Sequence, residues 1–169
     1  MNLIRFEAVP EQVSGVDIVR LPAEASAQLP SRGQVAVDAV VNGESRQLVV
    51  EPDGRRGHWL RLEPHDVAVE RVEVELAPSA DWPEPEIPDD LRSALDDATD
   101  ISDTWSDITP MARWEWVRWV NATRNPDTRQ RRVEVSIDKL RSGKRRPCCF
   151  DLSSCTDPDV ARSGKLPAL

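Results

Sequence analysis

A chain of 169 residues with 22 Lys and Arg against 30 Asp and Glu carries a net charge of −8, and 39% of it is apolar. At roughly 150 residues per domain this allows one large domain or two small ones. Three properties exclude a secreted, membrane-spanning or disulfide-stapled protein and leave a cytoplasmic one as the expectation. No apolar run nears the ~20 residues that span a bilayer, Met1 to Glu7 lacks the succession of a signal peptide, and three cysteines make a poor disulfide framework.

The charge is uneven. Residues 1–87 hold 8 basic and 16 acidic side chains, residues 88–126 hold 4 and 8, and residues 127–169 hold 10 and 6. An acidic body repels nucleic acid and anionic lipid, so only the last quarter could attract a polyanion.

The first half reads as short strands. Leu3 to Val9 stops at Pro10, and Val16 to Leu21 stops at Pro22. Pro22 to Leu29 is a short helix with proline in its first turn, where a missing N–H costs nothing. Gln34 to Val41 and Ser45 to Val50 flank Asn42-Gly43, a pair that tolerates the positive φ of a type I′ hairpin turn. Pro52-Asp53-Gly54 makes another turn, and His58 to Glu63 alternates after it. Val67 to Leu76 gives a last strand whose period slips by one near Glu70-Arg71, which predicts a bulge. Six short strands with frequent turns favour a small barrel over residues 1–77.

Residues 78–88 carry four prolines in eleven positions and read as an extended strap, with Trp82 pinned to a surface. Residues 89–155 read as helical. Leu91, Ala94, Leu95 and Ala98 form one apolar stripe, and Ser102 caps a short turn. Thr109-Pro110 starts a helix to about Thr123. After Asn125-Pro126, Asp127 caps another that ends at Ser142-Gly143. The tail, residues 156–169, has few apolar anchors and is expected to be mobile. The fold class expected is therefore α+β: a small N-terminal six-stranded β-barrel, then a C-terminal three- to four-helix domain.

Several residues could carry function. Trp114, Trp116 and Trp119 crowd one helix, either as an aromatic groove or as core; Trp116 and Trp119 share a face and Trp114 points elsewhere. Arg129, Arg131, Arg132, Lys139, Arg141, Lys144, Arg145 and Arg146 form a basic run, either an anion site or a solvated face paired with the acidic body. Cys148, Cys149 and Cys155 lack the spacing of a zinc site, which leaves inert thiols or a redox-responsive pair beside Arg146. His58, beside Trp59, is either a base or a structural histidine. The chain has no Gly-rich phosphate loop, nucleophile elbow or His-Glu-x-x-His, so no catalytic, metal or cofactor set is expected.

Two sets of motifs carry a resemblance. Phe6-Glu7-Ala8, Val19-Arg20-Leu21-Pro22, Val41-Asn42-Gly43, Pro52-Asp53-Gly54 and Gly57-His58-Trp59 resemble a small bacterial β-barrel domain of unknown function. Asp107-Ile108-Thr109-Pro110-Met111-Ala112-Arg113-Trp114 and Trp119-Val120 begin the second set. Thr128-Arg129, Arg131-Arg132, Leu140, Gly143-Lys144 and Arg145-Arg146-Pro147-Cys148-Cys149-Phe150 complete it. These resemble the YdeI/OmpD-associated, or bacteriocin-protection, family. The connection Glu63-Pro64-His65-Asp66 is shorter than in the barrel family. The resemblance implies the two-part fold and a role near envelope stress or bacteriocins, without catalytic residues. The expected function is a non-enzymatic cytoplasmic protein that binds a protein or small ligand. His58, Trp59, Trp114, Arg129, Arg131, Arg132, Arg145 and Arg146 are the candidate surface. Anion or nucleic-acid binding through residues 129–146, and an enzyme site near His58, are the alternatives; nucleic acid is the disfavoured partner.

Overall fold

The computed structural model describes residues 3–147 and 151–168. The chain divides into two compact units. Described residues within 1–83, 151–155 and 159–169 form the first, and those within 84–150 and 156–158 form the second. Among the described residues, no helix is long and apolar enough to cross a membrane.

The first unit is a curled antiparallel sheet. Its strands are β1 (Ile4–Ala8), β2 (Glu11–Val13), β3 (Val16–Arg20), β4 (Val35–Val41), β5 (Glu44–Pro52), β6 (His58–Arg61) and β7 (Val72–Pro78), in the order β1-β7-β4-β5-β6-β3-β2. The strands number seven rather than the six expected, and the sheet is an open curl rather than a closed barrel. β1 and β2 end the hydrogen-bonded order and are joined in sequence by Val9-Pro10. Pro10, between them, has no N–H to donate to a ladder. The chain leaves one edge at Pro10 and joins the other, where Val13↔Val16 closes a hairpin. Ser14 and Gly15, both at positive φ, form that hairpin turn, which the sequence reading missed because serine rarely adopts it.

Asn42 and Gly43 adopt the expected positive φ. The predicted bulge near Glu70-Arg71 is absent: Pro64–Ala68 forms a 3-10 turn, and β7 begins only at Val72. The slip in period marks a change of element within what the sequence suggested was one strand. The inner face of the curl packs Ile4, Val19, Val37, Leu60, Val74 and Leu76 with α1 (Ala23–Ala27). The alternation of β6 sends Trp59 to the opposite face, where it joins Ile18, Cys155, Val160 and Leu166 in a separate cluster. Within the tail, Val160 and Leu166 are buried, as is Cys155 just before it, at spacings too irregular to show a period.

The second unit contains α2 (Asp89–Asp97), α3 (Ser102–Asp107), α4 (Pro110–Asn121) and α5 (Pro126–Arg141), with a 3-10 turn at Thr99–Ile101. Among the described residues the helical segments thus number five, against the three or four expected. Leu91, Leu95, Ala112, Trp116, Val120 and Leu140 contribute to its core. Trp116 and Trp119 meet edge to face at 6.3 Å between centroids. The Thr109 hydroxyl caps α4 by accepting from the Ala112 N–H. α5 is capped by Asn125 rather than by Asp127: Asn125 Oδ1 accepts from the Asp127 and Thr128 N–H groups, both at 3.0 Å, and Pro126 takes the first helical position. Ser102 lies inside α3, with Ile101 at the cap position and no side-chain cap. Residues 79–88 carry no helix or strand until α2, and Trp82 within them is half-buried.

Candidate functional site

The sequence candidates fall into the two units. In the first, His58 and Trp59 are neighbours on β6, so their side chains leave opposite faces. His58 is 1% exposed, and its Nε2 lies 2.9 Å from the Gly33 carbonyl. A carbonyl only accepts, so Nε2 carries the proton. Burial is the largest influence on the ring and lowers its pKa, with the Arg32 charge acting the same way, so the imidazole is neutral. Nδ1 must then accept, and the Ser26 hydroxyl donates to it at 2.7 Å. Arg32 Nη1 donates to the same Ser26 oxygen at 3.2 Å. A serine hydroxyl aimed at a neutral imidazole is the pairing a nucleophile needs. Here, however, Ser26 is itself 2% exposed, and the pair is packed between α1 and the Gly33 loop. Trp59 is fully buried, and its indole N–H donates to the Pro52 carbonyl at 3.1 Å.

In the second unit most of the basic run has intramolecular partners. Arg129 holds both Asp90 oxygens, at 2.7 and 3.1 Å, and Asn121 Oδ1 at 3.0 Å. The guanidinium keeps the Asp90 carboxyl below its ordinary range. Arg132 donates to the Trp119 carbonyl at 2.7 Å and lies over the Trp119 ring at 5.3 Å. Arg141 pairs with Asp100, and Arg145 with Asp107. Arg146 reaches Glu115 at 3.3 Å and the Met111 sulfur at 3.7 Å. Arg131 is exposed on α5. The geometry therefore brings Arg146 to α4, ties Arg129 to α2 and α4, and leaves Arg131 apart. Cys148 and Cys149 lie outside the described residues; Cys155 is buried.

The sequence reading missed Glu115 and Arg118. Both sit within α4 and are buried, 6% and 5% exposed. Met111, Trp114, Glu115 and Arg118 fall at i, i+3, i+4 and i+7, one helical stripe distinct from that of Trp116 and Val120. Trp114 is half-buried and Arg146 exposed at the border of this stripe. Glu115 Oε1 has no hydrogen-bond donor among the described residues, although the Arg146 charge is close. Burial raises the Glu115 pKa, and the charges of Arg146 and Arg118 oppose that rise without cancelling it. The arrangement is a desolvated carboxylate in an ion pair with Arg146, in a stripe that also carries Trp114 and Arg118. It can accept a hydrogen bond from an N–H or O–H donor while Arg146 offers donors beside it. The only signal in the sequence was the pair of charges flanking Trp116 and Val117, which looked like an ordinary solvated i, i+3 pair.

Comparison with known families divides the chain as the fold does. Residues 84–143 match the OmdA family, described as Bacteriocin-protection, YdeI or OmpD-Associated. Residues 6–74 match a domain of unknown function, DUF1905. Along the chain the DUF1905 match comes first and the OmdA match second. No curated protein shows a significant match. The Glu115 stripe, the paired arginines and Trp114 all lie in or just after the OmdA domain, and His58 and Trp59 lie in the DUF1905 domain. At family level, the OmdA match points to a bacteriocin-protection, YdeI-like role.

Proposed function

We propose that the protein is a non-enzymatic, cytoplasmic bacterial interaction protein acting in bacteriocin protection. Its partner surface is the α4 stripe of the OmdA domain, made by Met111, Trp114 and Glu115 with Arg146. The observation that carries this reading is the buried Glu115 carboxylate, which faces Arg146 Nη2 at 3.3 Å and accepts no hydrogen bond at Oε1 among the described residues. A charge held where burial disfavours it costs stability, and such costs cluster at working sites. The fitting partner is a peptide segment: a backbone carbonyl meets the exposed Arg146 guanidinium, and an apolar side chain covers the Trp114 ring. The sealed Ser26–His58 pair supports a binding role over turnover near His58, since a substrate would have to displace the packing around it. Anion or nucleic-acid binding through residues 129–146 is the weaker reading, because Arg129, Arg132 and Arg145 are already engaged within the unit.

The test is survival of bacteriocin-challenged cells that produce the chain. Wild type is expected to raise survival over cells with an empty vector. Glu115→Ala or Arg146→Ala is expected to abolish that gain while circular dichroism stays unchanged. Equal survival with and without the wild-type chain would defeat the reading.

A further inference from the structure

The DUF1905 match ends at residue 74 and the OmdA match at residue 143, so the segment from Asp151 onward belongs to neither. Its residues 151–155 and 159–168 pack with the DUF1905 unit, where Cys155, Val160 and Leu166 lie on the outer face of β3 and β6, while residues 156–158 group with the helical unit. The seven-stranded curl and its inner core are built without it. Without this strap, Ile18 and Trp59 would stand as an apolar patch on the domain. The strap has no regular structure beyond an Arg162↔Lys165 bridge and tight turns. The turn in that bridge, Ser163-Gly164, has positive φ at both positions.

Its attachment has the make-up of peptide recognition. Val160 and Leu166 are both fully buried. The Leu166 N–H donates to the Asp53 carbonyl at 2.8 Å, and Arg55 Nε donates to the Leu166 carbonyl at 3.1 Å. Arg20 donates to the Pro167 carbonyl, and Arg61 pairs with Asp159. Two glycine turns meet backbone to backbone: a Cβ on Gly54 would overlap the Gly164 carbonyl. Buried apolar anchors, arginines on main-chain carbonyls and a contact that admits only glycine give affinity and selectivity together.

We infer that the outer face of β3 and β6 is a recognition surface for a short Gly-turn peptide, filled in cis by the chain's own carboxy-terminal strap. The occupant in trans is a peptide of the same chemistry: two apolar anchors astride a glycine turn, with carbonyls presented to Arg20 and Arg55. The strap is then a detachable intramolecular ligand that determines whether the Trp59 face is open. This inference concerns the DUF1905 unit and is independent of the α4 reading.

The experiment uses the full chain carrying Val160→Asp and Leu166→Asp, with a fluorescent synthetic peptide of residues 151–169 as probe. The variant is expected to keep a cooperative unfolding transition, and trypsin is expected to cleave after the exposed Arg162 and Lys165 at least tenfold faster than in wild type. The peptide is expected to bind the variant at least tenfold more tightly than it binds wild type, and that binding is expected to be lost when the variant also carries Gly54→Ala, whose Cβ would overlap the Gly164 carbonyl. Three results would overturn the inference: global unfolding of the variant, which makes the strap integral to the domain; a folded variant that ignores the peptide; or equal peptide binding when Gly54→Ala is added to the folded variant.

Discussion

Arg46 grips Asp66 with two hydrogen bonds inside the curl, Nη1 to Oδ2 at 2.8 Å and Nη2 to Oδ1 at 2.7 Å. Asp66 is 1% exposed, and its Oδ2 also accepts from the Glu63 N–H at 2.8 Å, so it fastens the 3-10 turn to β5. These bonds, with Arg46 the strongest, hold the Asp66 carboxyl below its ordinary range. Breaking a buried pair leaves one charge uncompensated, so Asp66→Asn should cost about 3 kcal/mol. Urea denaturation is expected to show a lower midpoint with an unchanged slope. Because the folded-state pKa is depressed, this contribution is complete above the unfolded carboxyl value and disappears as pH falls through the folded one. Wild type and variant should therefore converge in strong acid.

His58 has the same sign of linkage at higher pH. Its pKa is lowered in the fold, so the unfolded chain binds the proton more readily. Stability from this ring is complete above the unfolded histidine value and declines as pH falls below it toward the folded value. His58→Gln should be less stable by about 1–3 kcal/mol at pH 7.5, from imperfect satisfaction of Ser26 and Gly33. It should also lose less stability than wild type between pH 7.5 and 5.5. Denaturation midpoints at those two pH values test both expectations.

Glu115 runs the other way. Burial raises its pKa, so the folded state holds the proton more tightly than the unfolded state does. Its ionised form opposes folding at neutral pH, and that opposition fades as pH falls through the folded value. Glu115→Gln keeps the shape and removes the charge. The variant should be more stable than wild type at pH 7.5, and the gap should narrow toward pH 5. Combined with loss of protection in the bacteriocin challenge, this would be the trade of stability for function that a working site predicts.

Asn125 serves two N–H groups at the start of α5, so Asn125→Ala should cost about 1 kcal/mol. The matching change at Asp127, whose side chain does not cap the helix, should cost less. Thermal melts of the two variants would separate these roles.

Local backbone chemistry was readable residue by residue. Asn42-Gly43 announced its turn because few residues accept positive φ. Thr109-Pro110 announced the start of α4 because a hydroxyl must take an otherwise unpaired N–H. Serine gives no comparable warning, so the Ser14-Gly15 turn and the seventh strand it creates went unseen. The end of the 3-10 turn, Val67-Ala68, reads as the start of the last strand because Val67, Val69 and Val72 are β-branched in either setting.

The candidate site was the least legible part, because burial of a charge depends on what arrives from elsewhere in the chain. Glu115 and Arg118 carry the spacing of a solvated pair; their enclosure and the approach of Arg146 were settled only by packing. Cys155, Val160 and Leu166 follow no period, and their anchorage depends on the face that Ile18 and Trp59 present. The amino-acid order alone determined the strand and helix grammar of the two halves, since φ preferences, caps and apolar periods act within a few residues. Tertiary structure decided that the sheet stays open, that the tail is held and which charges lie dry, since each depends on contacts between residues far apart in the chain.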